Sequence, residues 1–470
     1  MTLELIVILI YMAGMFGIGI YFSSRVKNTE DFYLSSRSLP TPVIMLTFAA
    51  TYIGAASTLA KSGLAYKVGF PAVGLTLACC FGLYAFSIIS PRIRRIGAQY
   101  NVSSIPDLIN RRFGKGASLL AAVIIIWTLV GTIGSQMVAT TRILEIICEP
   151  WGMSYELAAV ISVFVIVVYT MISGMYGVAY TDVIQAGILI LLIGICLPIV
   201  AVSGAGGWSH MTTTLPASFF TLKPDMTLFG MMWVYLLYFL SGPPYWQRAF
   251  AAKSEKGARS GVFWATTIIL VYTFSVTIVG MAAAVIYPVF PAGISHESLI
   301  PMISRQMYHP LFSALVMAAI VAVLMSTIGS YLINAAQTLI SDLYKVLRPG
   351  VTEEHLLKMG KWAVVLMGVL SIFFTLNIRN ILNAIIFAMT FFSSAVSIPA
   401  LASLYWKKAT KQGIISGMIT GLVVATTWAK ILHKPMGIHE AIPGGILCLI
   451  VVVCVSLATY DENNPAPFLD

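Results

Sequence analysis

Charge is what this chain has least of. Asp, Glu, Lys and Arg make up 10% of its 470 residues, against about 25% in a typical soluble domain. Long polar stretches are missing too: none exceeds about 25 residues, so a separate globular domain has no room. The six cysteines (Cys79, Cys80, Cys148, Cys196, Cys448, Cys454) lie within or at the ends of apolar runs, with no CxxC or Cys/His metal spacing. They read as small apolar packing residues. No HExxH or GxSxG occurs, and the six histidines (His210, His296, His309, His355, His433, His439) fall in loops or at run ends, which argues against an intramembrane enzyme. No small-residue cleavage site follows the first apolar run, so a retained helix is expected rather than a signal peptide.

What is there instead is apolar surface. With 59% apolar residues, the chain has more than a water-soluble fold can hide inside itself, so lipid must be the solvent for most of it. Runs of about 20 residues, long enough to cross the hydrocarbon core, recur along the whole length. We expect an all-α membrane protein of thirteen spans, at roughly 3–22, 41–67, 71–96, 117–147, 155–173, 180–203, 228–247, 260–288, 310–345, 359–377, 381–405, 412–433 and 440–459.

The formal charge of +10 suggests nucleic acid until the basic residues are placed. About 20 fall on one side of this scheme: Arg25, Lys27, Arg37; Arg92, Arg94, Arg95, Arg111, Arg112, Lys115; Arg248, Lys253, Lys256, Arg259; Lys345, Arg348, Lys358, Lys361; and Lys407, Lys408, Lys411. Only Lys67, Lys223, Arg305, Arg379, Lys430 and Lys434 fall on the other. The positive-inside rule makes the first side cytoplasmic. The expectation is a multi-pass protein of the inner (cell) membrane, N-terminus outside and C-terminus inside, with the bilayer and not nucleic acid as its large partner. A bundle of this size without a soluble catalytic domain points to a transporter or channel.

A transport site needs polar groups at the membrane midplane, and secondary transporters supply them from interrupted helices in matching places of two inverted repeats. The second span reads Phe48-Ala-Ala-Thr-Tyr-Ile-Gly-Ala-Ala-Ser-Thr58, small and hydroxyl-rich, with Gly54 placed for unwinding; tight helix packing explains the same composition. The seventh reads Tyr238-Phe-Leu-Ser-Gly-Pro-Pro-Tyr-Trp-Gln-Arg248, and Pro243 with Pro244 must break it. The two breaks lie five spans apart, so two five-span repeats would be inverted. The ninth span offers Ser326, Thr327 and Ser330 in an otherwise apolar stretch, and Ser326, Ser330 and Asn334 share one face. Back-bonding to the helix's own carbonyls is the plain alternative for each.

Five segments are similar to the sodium:solute symporter family. They are Asp31-Phe-Tyr-Leu-Ser-Ser-Arg37, Ile105-Pro-Asp-Leu-Ile-Asn-Arg-Arg-Phe-Gly114, Ser173-Gly-Met-Tyr-Gly-Val-Ala-Tyr-Thr-Asp182-Val-Ile-Gln185, Met325-Ser-Thr327 with Ser341-Asp-Leu-Tyr344, and Leu404-Tyr-Trp-Lys-Lys408. Members carry proline, sugars, sialic acid, pantothenate, choline or monocarboxylates. The resemblance implies a leucine-transporter-like fold in one membrane domain over 1–470. An extra N-terminal helix and loop (1–40) would precede a ten-helix core. The first inverted repeat would occupy 41–178 and 179–226, the second 227–406, and two extra helices with the tail 407–470.

The resemblance also implies a coupling sodium ion, held by carbonyls of Ala50, Ile53 and Val323 with the hydroxyls of Ser326 and Thr327. Sodium, like other hard cations, takes oxygen ligands. Asp182 admits two readings. Asp182-x-x-Gln185 has capping-box spacing, or Asp182 joins Ser330 in the second sodium site that some members have, although Gly329 stands where those members carry a hydroxyl. Candidate substrate-binding residues are Tyr52, Gly54, Ser57, Thr58, Gln136, Tyr238, Ser241, Gly242, Tyr245 and Trp246. Ala56, Ser57 and Pro244 depart from sugar-carrying members, and Gly-Pro-Pro is closer to the proline-carrier branch. The expectation is an importer, not an enzyme, for a small amino acid or carboxylate, with one chain sufficient. Proton coupling through Asp182, a sugar, sialic acid, pantothenate or nucleobase as the solute, and a membrane sensor are the alternatives. The short tail after about residue 460 is expected to leave no room for a signalling module. Arg142 is expected near the outer end, snorkelling.

Overall fold

The computed structural model describes residues 2–222, 226–291, 294–307, 309–377 and 381–470. Among them the chain is helical almost throughout, and the only strand-like feature is an isolated bridge between Leu39 and Ala252. Among the described residues ten helices are long and apolar enough to cross a membrane, and eleven if the bent pair Thr41–Tyr52 and Ala56–Val68 is one crossing. The expected thirteen is therefore not reached by length and composition alone. The differences lie at two places. Tyr155–Gly204 is one run of 50 residues, about 75 Å at 1.5 Å per residue, more than twice the hydrocarbon thickness. The other is Met226–Ser241 with Pro243–Ala251, two helices too short to count separately.

The long run is broken at Gly174, whose φ of 54° and ψ of −167° lie outside helical space. That backbone is essentially restricted to glycine. A Cβ there would also sit 2.9 Å from the Phe32 ring. Gly174→Ala is expected to destabilise the protein by about 1–3 kcal/mol, read as a lower unfolding midpoint in detergent. An unchanged midpoint would mean that the corner relaxes freely.

Burial sorts the helices. The crossing that contains Pro310–Gln337 has 78% of its most apolar window buried, whereas Leu3–Ser23 has 17% and the two C-terminal helices Lys411–Lys430 and Ala441–Thr459 have 33% each. Pro310–Gln337 is thus the central helix, packed against Leu3–Ser23, Thr41–Tyr52, Lys115–Cys148, Tyr155–Leu189 and Glu353–Asn377. The outer helices expose Phe164, Ile199, Val271, Phe373 and Val423, a surface that only lipid tolerates at this extent.

Basic side chains near helix ends are anchored. Arg37 pairs with Glu30, Arg95 with Glu255 and Arg305 with Glu4, each at 2.7 Å. Buried Arg112 donates to the carbonyls of Ala402, Ser403 and Trp406 at the end of Ser397–Tyr405, and to Pro467 of the tail. A cation there matches the negative end of a helix. Arg142 does not simply snorkel: it pairs with Glu297 and donates to Ser295 Oγ at 3.2 Å.

Candidate functional site

The first interrupted helix creates the site. Thr41–Tyr52 ends at Ile53, whose ψ of 96° is extended, and the chain bends by 65° before Ala56–Val68. The last carbonyls of a helix have no intrahelical partner, so those around the break turn sideways toward the central helix. Thr327 Oγ1 lies 3.2 Å from Ala50 O, 3.1 Å from Ile53 O and 3.1 Å from Val323 O. Ser326 Oγ lies 3.3 Å from Ala50 O and 2.9 Å from Val323 O. The structure therefore brings together all five groups of the expected sodium set.

Back-bonding within the central helix accounts for the contacts to Val323 only. The contacts to Ala50 and Ile53 cross to another helix. Two hydroxyl protons face three carbonyl oxygens, so acceptors outnumber donors in a buried space. Converging carbonyl dipoles with too few protons suit a small cation with oxygen ligands, and the donor set fits sodium without a buried carboxylate.

The start of the second half-helix is held by side chains. Gln136 Oε1 accepts from Ala55 N at 2.8 Å, and Ser57 Oγ accepts from Gly54 N at 3.0 Å. Gly54 is needed for close approach: a Cβ would lie 2.9 Å from Gln136 Oε1 and 3.0 Å from Thr327 Oγ1. Gln136→Leu would leave the buried Ala55 N–H without an acceptor, at a cost of about 1–3 kcal/mol. We expect it to loosen the break and raise the sodium requirement of transport several-fold. Unchanged sodium dependence would show that Gln136 acts elsewhere.

Beside this break lies a cavity of about 60 Å³, whose lining includes Thr51, Tyr52, Ser57, Lys61, Cys79, Gln136, Tyr235, Phe239, Tyr245, Thr327 and Tyr331. The rings of Tyr52, Phe239 and Tyr245 pack at tilted angles of 47° and 55°, with centroids 5.4 and 5.3 Å apart. Of the expected substrate residues, Tyr52, Ser57, Gln136 and Tyr245 line this cavity, and Gly54 is next to it. Five others do not line it. Thr58 shares a hydrogen bond with Tyr272 at 2.9 Å. Tyr238 bonds Tyr331 at 3.3 Å. Ser241 donates to Ser397 Oγ at 2.7 Å. Gly242 forms the second break, its carbonyl accepting from Tyr245 N and Trp246 N. Trp246 donates its indole N–H to Leu240 O at 3.1 Å. Ser241, Gly242 and Trp246 brace the second break, whereas Thr58 ties the first broken helix to Glu255–Ile286. Tyr238 alone stays coupled to the cavity, through Tyr331.

The model of the sodium:solute symporter family matches residues 32–421. This chain belongs to the sodium:solute symporter family. The osmoregulated proline transporter OpuE of Bacillus subtilis (strain 168) is 28% identical over 480 residues, covering 98% of this chain and 96% of the relative. A sodium/proline symporter of Staphylococcus aureus (strain JH9) is 25% identical over 493 residues, covering 99% and 94%. Among solved structures, a substrate-bound, outward-open Na+-coupled sialic acid symporter superposes with a TM-score of 0.85 at 18% identity, covering 99% of both chains. Mhp1, a nucleobase-cation-symport-1 family transporter in a closed conformation with bromovinylhydantoin bound, gives a TM-score of 0.64 at 14% identity, over 91% of this chain and 95% of that one. These likenesses carry the fold: an all-α membrane bundle of the leucine-transporter-like type.

In this symporter Asp182 is not a helix cap. Its helical segment starts after Gly174, two turns earlier, and Gln185 donates to Tyr11 at 2.6 Å instead of turning back. Nor does Asp182 touch Ser330 directly. Arg248 stands between them. It pairs with Asp182 Oδ2 at 3.7 Å, donates to Ser330 Oγ, and reaches Thr47 O at 3.3 Å and Pro244 O at 3.1 Å. Asp182 Oδ2 also accepts from Thr47 Oγ1 at 2.6 Å. Both charged side chains are 0% exposed. The loop position given to Arg248 by the charge pattern is thereby corrected: the Pro-Pro break turns the following helix, and its Arg, into the bundle. Arg248 and Lys61 are the charged residues of the site that sequence reasoning missed, and Thr51, Tyr235, Phe239 and Tyr331 are further lining residues that it did not name. A lysine inside an apolar span is itself a signal, because it is costly unless it is used.

Proposed function

We propose that the chain is a sodium-coupled importer of a small organic solute, an amino acid or carboxylate, working by alternating access. Sodium is held by Ala50, Ile53 and Val323 carbonyls with the Ser326 and Thr327 hydroxyls, and the solute by the adjoining cavity. Repeats at 41–226 and 227–406 rock around these two sites, in an inner membrane with the N-terminus outside. The observation that carries the reading is the set of contacts from Thr327 across to Ala50 and Ile53. They join the central helix to the same broken helix that lines the cavity, so ion and solute act on one element, and their coupling is reciprocal. The relatives named as proline transporters support a small solute. So does the cavity, since about 60 Å³ amounts to only a few water-sized spheres.

The same geometry favours one ion per cycle, because the guanidinium of Arg248 already neutralises Asp182. One sodium falling through 100 mV supplies roughly 2.3 kcal/mol, and a tenfold gradient about 1.4 kcal/mol more. A neutral solute would then accumulate roughly 500-fold, whereas a monovalent anion, which moves with sodium without net charge, would accumulate about tenfold. The test is uptake into proteoliposomes with sodium replaced by choline at constant pH. Loss of uptake supports sodium coupling; full uptake that follows an imposed pH gradient instead would transfer the role to a proton.

A further inference from the structure

We propose that Lys61 is the anchor for a carboxylate of the transported solute, and that the solute is a small monocarboxylate anion. This rests on the transport reading above and narrows its substrate. Lys61 lies in the helix that continues the first break, is 7% exposed, and lines the cavity beside the sodium set. Its only hydrogen-bond partner among the described residues is the Thr76 hydroxyl. An ammonium has three N–H donors, so two remain for something that enters. No Asp or Glu lines the cavity, and no ion pair to Lys61 forms among the described residues. A buried ammonium is retained in a membrane protein when it faces a partner or a pathway. Here the described residues supply no anionic partner, and the cavity is present.

The contrast with Arg248 sharpens this. That second buried cation of the core has a carboxylate, a hydroxyl and two carbonyls around it. Lys61 has one hydroxyl. The lack of an acid also bears on the solute's other end. A zwitterion brings an ammonium that needs acceptors. The Gln136 carbonyl oxygen is already engaged by Ala55 N, and the other polar groups of the lining are neutral hydroxyls and the Cys79 thiol, none of them an anion. Leu75, Phe239 and Met389 also line the cavity and suit an apolar acyl chain, whereas a second positive charge beside Lys61 meets no carboxylate there.

The experiment is thermal-shift and equilibrium binding on the full purified chain, in sodium and in choline at matched ionic strength. The probes are acetate, propionate, L-lactate and pyruvate, with propionamide and L-proline as controls. We expect at least one monocarboxylate to bind in sodium, with propionamide inactive and L-proline weaker. Lys61→Gln should weaken that binding roughly 30-fold, the order of one lost charge-assisted contact. It should leave the shift given by sodium alone in place, which shows that the variant is folded. Lys61→Arg, which keeps the charge, should recover part of the affinity. Carboxylate binding that Lys61→Gln leaves unchanged, equal binding of propionamide, or tighter binding of L-proline than of any monocarboxylate would each overturn the proposal. Carboxylate binding that Lys61→Gln abolishes but sodium does not influence would support the anchor and overturn the sodium-coupled reading instead.

Discussion

Thr327→Ala is expected to raise the sodium concentration for half-maximal uptake at least tenfold while leaving the protein folded. Thr327 Oγ1 is the hub of the oxygen cluster, within 3.2 Å of three carbonyl oxygens from two helices. Alanine keeps the helix and removes one ligand. A hydrogen bond or ligand contact to a charged group contributes about 1.5–3 kcal/mol, which corresponds to roughly 10- to 150-fold in affinity. Ser326→Ala should act in the same direction and more weakly, because its hydroxyl spans two carbonyls at 2.9 and 3.3 Å. Half-saturation by sodium that stays put in both variants would leave only helix back-bonding to explain these hydroxyls.

Arg248→Met is expected to be the most destabilising single change in the core. Breaking a fully buried ion pair by removing one partner costs about 3–5 kcal/mol, because the other charge stays behind. Asp182 would keep the Thr47 hydroxyl and nothing else. Adding Asp182→Asn removes the stranded charge, so the double variant should regain most of the lost stability. That recovery is the signature of direct coupling, and a double-mutant cycle measures it. The ion stoichiometry depends on the same pair. If Arg248 occupies the cation position beside Asp182, Asp182→Asn should leave the sodium-to-solute ratio at one, read from reversal potentials in proteoliposomes. A ratio of two that falls to one in Asp182→Asn would instead make Asp182 a sodium ligand.

The membrane class and the two breaks were legible because they rest on local rules. Apolar run length, basic loops and the Pro243-Pro244 pair each act within a few residues. The hydroxyl pair Ser326-Thr327 stood out for the same reason. What was not legible depends on contacts distant in sequence or on helix phase. Arg248 reads as a loop cation until the break turns it inward to Asp182, far off in the chain. Thr58 reads as a pocket residue when a regular helix is extended past Gly54. The chain instead passes through a wider turn over Ala56–Ala60 before becoming regular, and each such turn shifts the phase of the residues after it. Thr58 is carried round to Tyr272 and Lys61 to the cavity. Ser241 and Trp246 were drawn to the pocket by proximity to the second break, whereas their polar atoms are used up in bracing it.

Sodium binding itself is the most direct test, because the central claim is an ion held between the first broken helix and the central helix. Equilibrium binding of radioactive sodium to the purified chain, without solute, should saturate at one ion per chain. Binding should weaken at least tenfold in Thr327→Ala and persist in Asp182→Asn. Absence of saturable binding, or binding that survives Thr327→Ala and disappears in Asp182→Asn, would contradict it.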